Sequence, residues 1–129
     1  MKTYLLAILL TVPATFAAAE PFKCRVTDVL LSSEENPEFV RKNKQKQFLI
    51  TVGSESIVIA QSSPDFAPSE REFFPVSEPP SDILAMATDS FSVSTFAMPY
   101  LTNSGIRFDA TLTLQTANFV NVWTLDCLP

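Results

Sequence analysis

The C-terminal part of the chain alternates between apolar and polar residues, and this pattern limits what the chain can fold into. Residues 106–115 place their apolar side chains on one face of an extended segment: Ile106, Phe108, Ala110, Leu112 and Leu114. Alternation with a period of two predicts a β-strand that has one buried face and one polar face. Residues 119–127 continue the pattern after a short turn at residues 116–118. The two runs therefore predict an antiparallel hairpin that forms one wall of the core.

Further segments rich in β-branched or alternating apolar residues also predict strands: residues 22–31, 47–52, 56–61, 82–88 and 91–98. Gly53 and Ser54 lie where a tight hairpin turn needs residues that tolerate unusual backbone angles. In the first strand, we expect one inward side, with Asp28 as its polar exception, formed by Phe22, Cys24, Val26 and Leu30. Together with the C-terminal hairpin, the chain has about seven predicted strands.

A polar segment follows the first strand. Asn36, Pro37 and Glu38 supply a capping side chain, a proline at the first helical position and an acid near the positive end of the helix dipole. They predict a short helix over residues 37–43, and the alternative is a long hairpin loop. The basic residues 41–46 are expected to be solvated. The alternative is a docking patch for an anionic partner, such as lipopolysaccharide or an acidic protein.

Residues 62–81 are rich in proline, serine and glutamate. Proline removes a backbone donor and disfavours helix on both sides, so we expect a long surface loop. Phe66, Phe73 and Phe74 would anchor this loop on the body of the domain by plain packing. The alternative is that they form a lid over a ligand, because a loop of this length is often functional.

The N-terminus has the features of a secretory signal peptide. Lys2 precedes an apolar run at residues 4–12, and Phe16-Ala17-Ala18-Ala19 has the small residues of a cleavage site. We predict a cleaved signal peptide over residues 1–19, a single domain over residues 20–129, and a periplasmic or secreted location. An uncleaved membrane anchor is the alternative; after cleavage we expect no membrane span.

The two cysteines, Cys24 and Cys127, lie near opposite ends of the predicted mature chain. An oxidising compartment favours a disulfide between them, and two free buried thiols are the alternative. A bond that closes a loop of about 100 residues is worth about 4–5 kcal/mol in the chain-entropy model. The bond would make the first and last strands neighbours, which leaves the sheet without a free edge.

Composition excludes several functions. The chain carries 9 basic and 14 acidic residues and no histidine. An acidic surface repels phosphate backbones, so no nucleic-acid partner is expected. Without histidine, the usual general base and the commonest zinc ligand are missing. No metal or cofactor site is predicted. The remaining candidates for catalysis are pairs of carboxylates in polar positions: Glu34 with Glu35, Glu70 with Glu72, and Asp109 with Asp126. We therefore expect a non-enzymatic protein, in which Asp109 and Asp126 pair with Arg25 or Arg107 at the surface.

Residues 104–108 are Ser-Gly-Ile-Arg-Phe. This segment is similar, in its first two residues and its aromatic, to the Ser-Gly-x-x-Tyr motif of the periplasmic C-type lysozyme inhibitors, which are small exported β-proteins. Phe108 replaces the tyrosine, and the glycine-rich surroundings are missing. The resemblance implies an inhibitor of a secreted hydrolase that acts through the turn at residues 103–107, with Ser104, Gly105 and Arg107 as contact residues.

The pattern as a whole predicts an all-β domain: a small antiparallel meander barrel or sandwich of about seven strands with at most one short helix. The favoured function is an exported, monomeric binding or interaction protein, whose partner is an unknown protein or a small apolar ligand. Trp123, together with Asn121, Phe119 and the phenylalanines of residues 62–81, could line a barrel mouth for such a ligand. A core filled by side chains is the favoured alternative to that pocket, and hydrolase inhibition is the alternative function.

Overall fold

In the part of the chain that the structure describes, eight antiparallel strands close into a barrel. The computed structural model describes residues 20–34, 36–100 and 106–129. The elements, in chain order, are β1 (Phe22–Leu31), α1 (Pro37–Lys44), β2 (Gln47–Val52), β3 (Ile57–Ser62), β4 (Ser69–Pro75), β5 (Ile83–Thr88), β6 (Ser92–Met98), β7 (Phe108–Thr116) and β8 (Val120–Leu128). Each strand pairs with its neighbours in sequence, and β8 pairs with β1. The prediction of an all-β meander is confirmed, and the architecture is a barrel.

Residues 62–81 are not one long loop, so that prediction is wrong, and the eighth strand comes from this segment. Pro64 and Pro68 precede β4, and Pro75 is its last residue, so the strand between them keeps all its backbone donors. β4 pairs with β3 along its length, for example Phe73 opposite Ile57. Proline is compatible with strand ends. The positions of the prolines in residues 62–81 are therefore more informative about the strand than their number.

The short helix is confirmed. The Oδ1 atom of Asn36 accepts a hydrogen bond from the backbone N–H of Glu38 at 2.9 Å, and Pro37 is the first helical residue. Phe39 and Val40 are half-buried and pack against the barrel core. Within the described residues, no helix combines the length and the apolar character that a membrane crossing requires.

The first and last strands close the barrel, and a disulfide joins them. Cys24 and Cys127 are directly opposite each other in the β1–β8 pairing, and their sulfur atoms are bonded. The predicted bond between the terminal strands is confirmed. The hydrogen-bonded ladder and the disulfide therefore hold the two terminal strands together at the same place.

One prediction for β1 fails because of a register shift. The pairing with β8 slips by one residue between Val26 and Asp28. An extra residue in a strand turns all following side chains to the opposite face. Val29 and Leu31 therefore point inward, whereas Leu30, expected inside, is 70% exposed.

The middle of the barrel is filled by side chains. Phe96, Ile50 and Leu125 are completely buried there. In β8, alternate residues face inward, and Asn121, Trp123, Leu125 and Cys127 are all buried. Barrels of eight strands have an interior just wide enough for side chains, which matches this packing.

The disulfide is expected to supply a large share of the stability. The double substitution of Cys24 and Cys127 by alanine should lower the free energy of unfolding by about 4–5 kcal/mol, because the bond closes a loop across a separation of 103 residues. Urea denaturation of both proteins measures the difference. A loss below about 1 kcal/mol would show that the bond is redundant with the β1–β8 ladder.

Candidate functional site: a cationic cavity at the helix end of the barrel

The inside of the barrel changes from apolar to polar toward one end. We call this end the helix end, because it carries α1, the β3–β4 loop at residues 63–68 and the turns at residues 89–91 and 117–119. Here the inward-facing positions are occupied by Lys46, Gln61, Arg71 and Ser94. Each is two residues from a buried core residue along its own extended segment, so the strand alternation turns it toward the interior.

These residues line a cavity of about 140 Å³ that opens at the helix end. Its apolar walls are Phe48, Ile59, Phe73, Leu112, Leu114 and Trp123, and its polar lining is Lys46, Gln61, Ser69, Arg71, Ser94 and Thr113. A larger groove of about 520 Å³ lies on the outside, beside Arg25, Lys44 and Pro64, which are all exposed. Ligand sites combine buried apolar walls with a few convergent polar groups, and the interior cavity has both.

Lys46 is the most unusual residue of the cavity. Its Nζ atom lies 4.4 Å from the ring centre of Phe66 and 4.9 Å from that of Trp123. Burial lowers the pKa of Lys46 from its ordinary value. In the described part of the chain, no carboxylate forms a salt bridge with it. The expectation that residues 41–46 are uniformly solvated is therefore wrong at Lys46, whose ammonium group is held by two aromatic faces.

The helix and the β3–β4 loop cover Lys46 from above. The indole N–H of Trp123 donates to Oδ1 of Asn43 at 3.3 Å, and Nδ2 of Asn43 donates to the carbonyl of Phe39 at 2.9 Å. The ring of Phe39 meets that of Phe66 edge to face, with centroids 6.1 Å apart. Asn43 is almost completely buried, so α1 is fixed to the cavity wall by a polar contact as well as by packing.

Arg71 crosses from β4 over the interior side of β5. Its Nη1 donates to Oγ of Ser94 at 2.7 Å, and its Nη2 donates to Oδ2 of Asp89 at 3.3 Å. The backbone N–H of Phe91, the hydroxyl of Ser92 and the charge of Arg71 lower the pKa of Asp89. β4 and β5 are paired only at Phe74–Met86 and Pro75–Ala85. Arg71 therefore links β4 to β6 and to the turn at residues 89–91, beyond the point where the β4–β5 ladder ends.

Gln61 adds an unsatisfied donor. Its Oε1 atom accepts a hydrogen bond from Ser69 at 3.4 Å, whereas its buried Nε2 atom has no partner among the residues that the structure describes. A buried polar group without a partner costs about 1–3 kcal/mol, so native proteins usually pair such groups with water or a ligand. This N–H group is available to an acceptor inside the cavity.

The predicted interaction residues do not form one surface. Phe66 covers Lys46, and Phe73 lies in the cavity wall at 2% exposure. Phe74 points away from both, on the outside of β4, and is 55% exposed. The three phenylalanines are thus not common anchors of a loop, because two of them are strand neighbours that face opposite ways. Ser104 and Gly105 lie outside the described residues.

Arg107 belongs to an ion-paired cluster on the outer wall. Its Nε and Nη2 donate to the two carboxylate oxygens of Asp126, each at 2.6 Å, and Nε of Arg25 donates to the same carboxylate at 2.9 Å. The expected pairing of Asp126 is confirmed with both arginines. Hydrogen bonds from Arg107, followed by those from Arg25, lower the pKa of Asp126. The adjacent Phe108 points inward and packs edge to face on Phe22.

The polar residues of the cavity were not among the predicted site residues. Lys46 and Gln61 were in phase with the inward positions of β2 and β3, and this was the available signal. Lys46 was grouped instead with its charged neighbours. Arg71 and Ser94 were hidden for different reasons: β4 was not predicted, and a serine inside an alternating strand is common on either face.

Comparisons of the chain with protein-family models, with characterised proteins and with solved structures find no significant match.

Asp126→Asn should lower stability at neutral pH, with a defined pH dependence. Because the folded-state pKa of Asp126 is lowered from 3.8, its contribution is present above about pH 4 and is lost as pH falls through the folded value. Urea denaturation at pH 7 and pH 3 should show a stability difference between the two proteins that shrinks at the lower pH. Asp109→Asn, at the exposed position opposite Asp126, is the control. An equal difference at both pH values would contradict this account.

Lys46→Met should leave the free energy of unfolding unchanged or raise it by up to about 1 kcal/mol. The substitution removes a half-buried, unpaired charge, and the methionine sulfur keeps favourable contacts with Phe66 and Trp123. The gain is limited because part of the lysine side chain stays solvated. Denaturant unfolding measures the change, and a loss above about 1 kcal/mol would mean that Lys46 is there for stability.

Proposed function

We propose that this protein is an exported, non-enzymatic binding protein that takes a small molecule into the cavity at the helix end of its barrel. The ligand has an apolar body and a polar head. The observation that supports the proposal is the unpaired polarity of the cavity: among the described residues, no carboxylate forms a salt bridge with the half-buried Lys46, and no acceptor contacts the buried amide donor of Gln61. Such groups destabilise a protein unless something binds them.

The size of the cavity limits the ligand. A cavity of about 150 Å³ with apolar walls holds one benzene-sized molecule. The volume of about 140 Å³ therefore fits a single ring or a short alkyl chain. Trp123 and Phe73 supply broad aromatic walls for such a group, and the polar lining lies on the side that opens to solvent.

The positions of the carboxylates support a binding role over a catalytic one. Glu34, Glu70, Glu72 and Asp109 are exposed on the outside of the described structure, and Asp126 is taken up by two arginines. General acid–base chemistry on two carboxyl groups needs them to face each other across a cleft. None of these residues lines the cavity.

The proposed export rests on the leader-like N-terminal sequence and is compatible with the disulfide. Disulfides persist in oxidising compartments and are rare in the cytosol. The domain would act in the periplasm or outside the cell as a monomer. Hydrolase inhibition through residues 103–107 stays a prediction.

The sole tryptophan gives a direct test, because Trp123 lies in the cavity wall. Titration with a set of ring-sized and short-chain organic molecules, charged and neutral, should give at least one saturable change in its fluorescence. Leu112→Trp places a larger side chain in the cavity wall at the same end of the barrel and should fill the cavity. Binding, measured by calorimetry, should therefore be lost in this variant.

The matched control is Phe91→Ala, which changes an aromatic residue at the same end that is 86% exposed and outside the cavity. It should bind as the unchanged protein does. Circular dichroism checks that both variants are folded. Absence of binding across the whole set, or equal binding by Leu112→Trp, would contradict the proposed function.

A further inference from the structure

We propose that the ligand of this cavity is a small organic monocarboxylate, held with its carboxylate between Lys46 and Arg71 and its apolar body against Trp123. This inference rests on the proposed function, since it names the ligand class for the same cavity. Three properties of the site support it: its charge, its free donors and the chemistry of its walls.

The charge of the cavity is opposite to that of the whole chain. The protein has a formal net charge of −5, whereas the described residues that line the cavity include two cations, Lys46 and Arg71, and no carboxylate. Asp89 neutralises part of this charge through its contact with Arg71 at 3.3 Å. One net positive charge is left at the mouth. A bound monoanion would balance it, whereas a dianion would leave an excess negative charge.

The donors line the same cavity. Among the described residues, the ammonium group of Lys46 lies over the rings of Phe66 and Trp123 and forms no salt bridge, and Nε2 of Gln61 has no hydrogen-bond partner. Ser94 accepts a hydrogen bond from Arg71, so its own hydroxyl proton can be donated to a ligand. A carboxylate only accepts hydrogen bonds, and it has two oxygens for such a set of donors.

The walls favour an organic acid over an inorganic anion. Below the donors, the lining is formed by Phe48, Phe73 and Trp123. A sulfate or phosphate there would lose hydration on its apolar side without compensation. A carboxylate attached to a ring or a short chain keeps its charged oxygens at the donors and buries its carbon atoms against the aromatic rings.

Calorimetric titration of the oxidised full domain tests the ligand class. The probes are benzoate and pentanoate, each matched with its neutral amide, and inorganic sulfate as an anion without an apolar body. Each acid should bind at least about tenfold more tightly than its amide, since hydrogen bonds to charged groups exceed neutral ones by such a factor. Sulfate should neither bind comparably nor compete.

Variants locate the binding on the proposed residues. Lys46→Met and Arg71→Met should each weaken binding of the acids roughly 10- to 100-fold and remove the preference for acid over amide. Lys46→Arg, which keeps the charge, should retain most of that preference. The control is Lys44→Met, which removes the same charge from an exposed position outside the cavity and should change affinity by less than about twofold.

The outcomes separate the two proposals. If amides bind as tightly as acids and the cavity-filling Leu112→Trp abolishes both, the cavity binds ligands but the carboxylate inference is wrong. If sulfate binds as tightly as benzoate, or if Lys44→Met weakens binding as much as Lys46→Met, the inference is also wrong. If neither acids nor amides bind, the proposed function fails together with it.

Discussion

The closure between β1 and β8 is the constraint on which the rest of the structure depends. Once Cys24 and Cys127 face each other and are bonded, the strands between them form a single curved sheet without a free edge. Every inward side chain is then packed against others, or it lies near one of the two ends. A ligand or partner can therefore contact the barrel at three places: the outer wall, the end that carries the termini and the helix end.

The outer wall and the helix end of the barrel differ in how their charges are paired. On the outer wall, Asp126 accepts hydrogen bonds from Arg107 and Arg25, so three charges are paired within one cluster. At the helix end, no carboxylate of the described residues forms a salt bridge with the half-buried Lys46, although the protein has more acids than bases. The proposed binding of an anion would give this cation a partner.

The sequence predicted the all-β class, the short helix and the joining of the two ends, because these depend on local signals: alternation, the Asn36-Pro37-Glu38 cap and the position of two cysteines. It failed where a single residue or a distant partner decides the outcome. The bulge after Val26 turns Leu30 to the outer face of the barrel, and no local sequence pattern predicts the bulge. β4 was not predicted because the prolines of residues 62–81 indicated a loop. The cavity joins Lys46, Gln61, Arg71 and Ser94 from four separate segments, so only the closed barrel brings them together.

In the proposed function, the unpaired donors of the helix-end cavity hold a ligand. Nuclear magnetic resonance of isotope-labelled protein titrated with benzoate tests this role, since the side-chain amide of Gln61 and the indole N–H of Trp123 give separate signals within the site. Both signals are expected to shift in a saturable way, while the signals of the Asp126 cluster on the outer wall stay unchanged. Shifts confined to the outer wall, or none at Gln61 and Trp123, would show that the cavity does not bind this ligand.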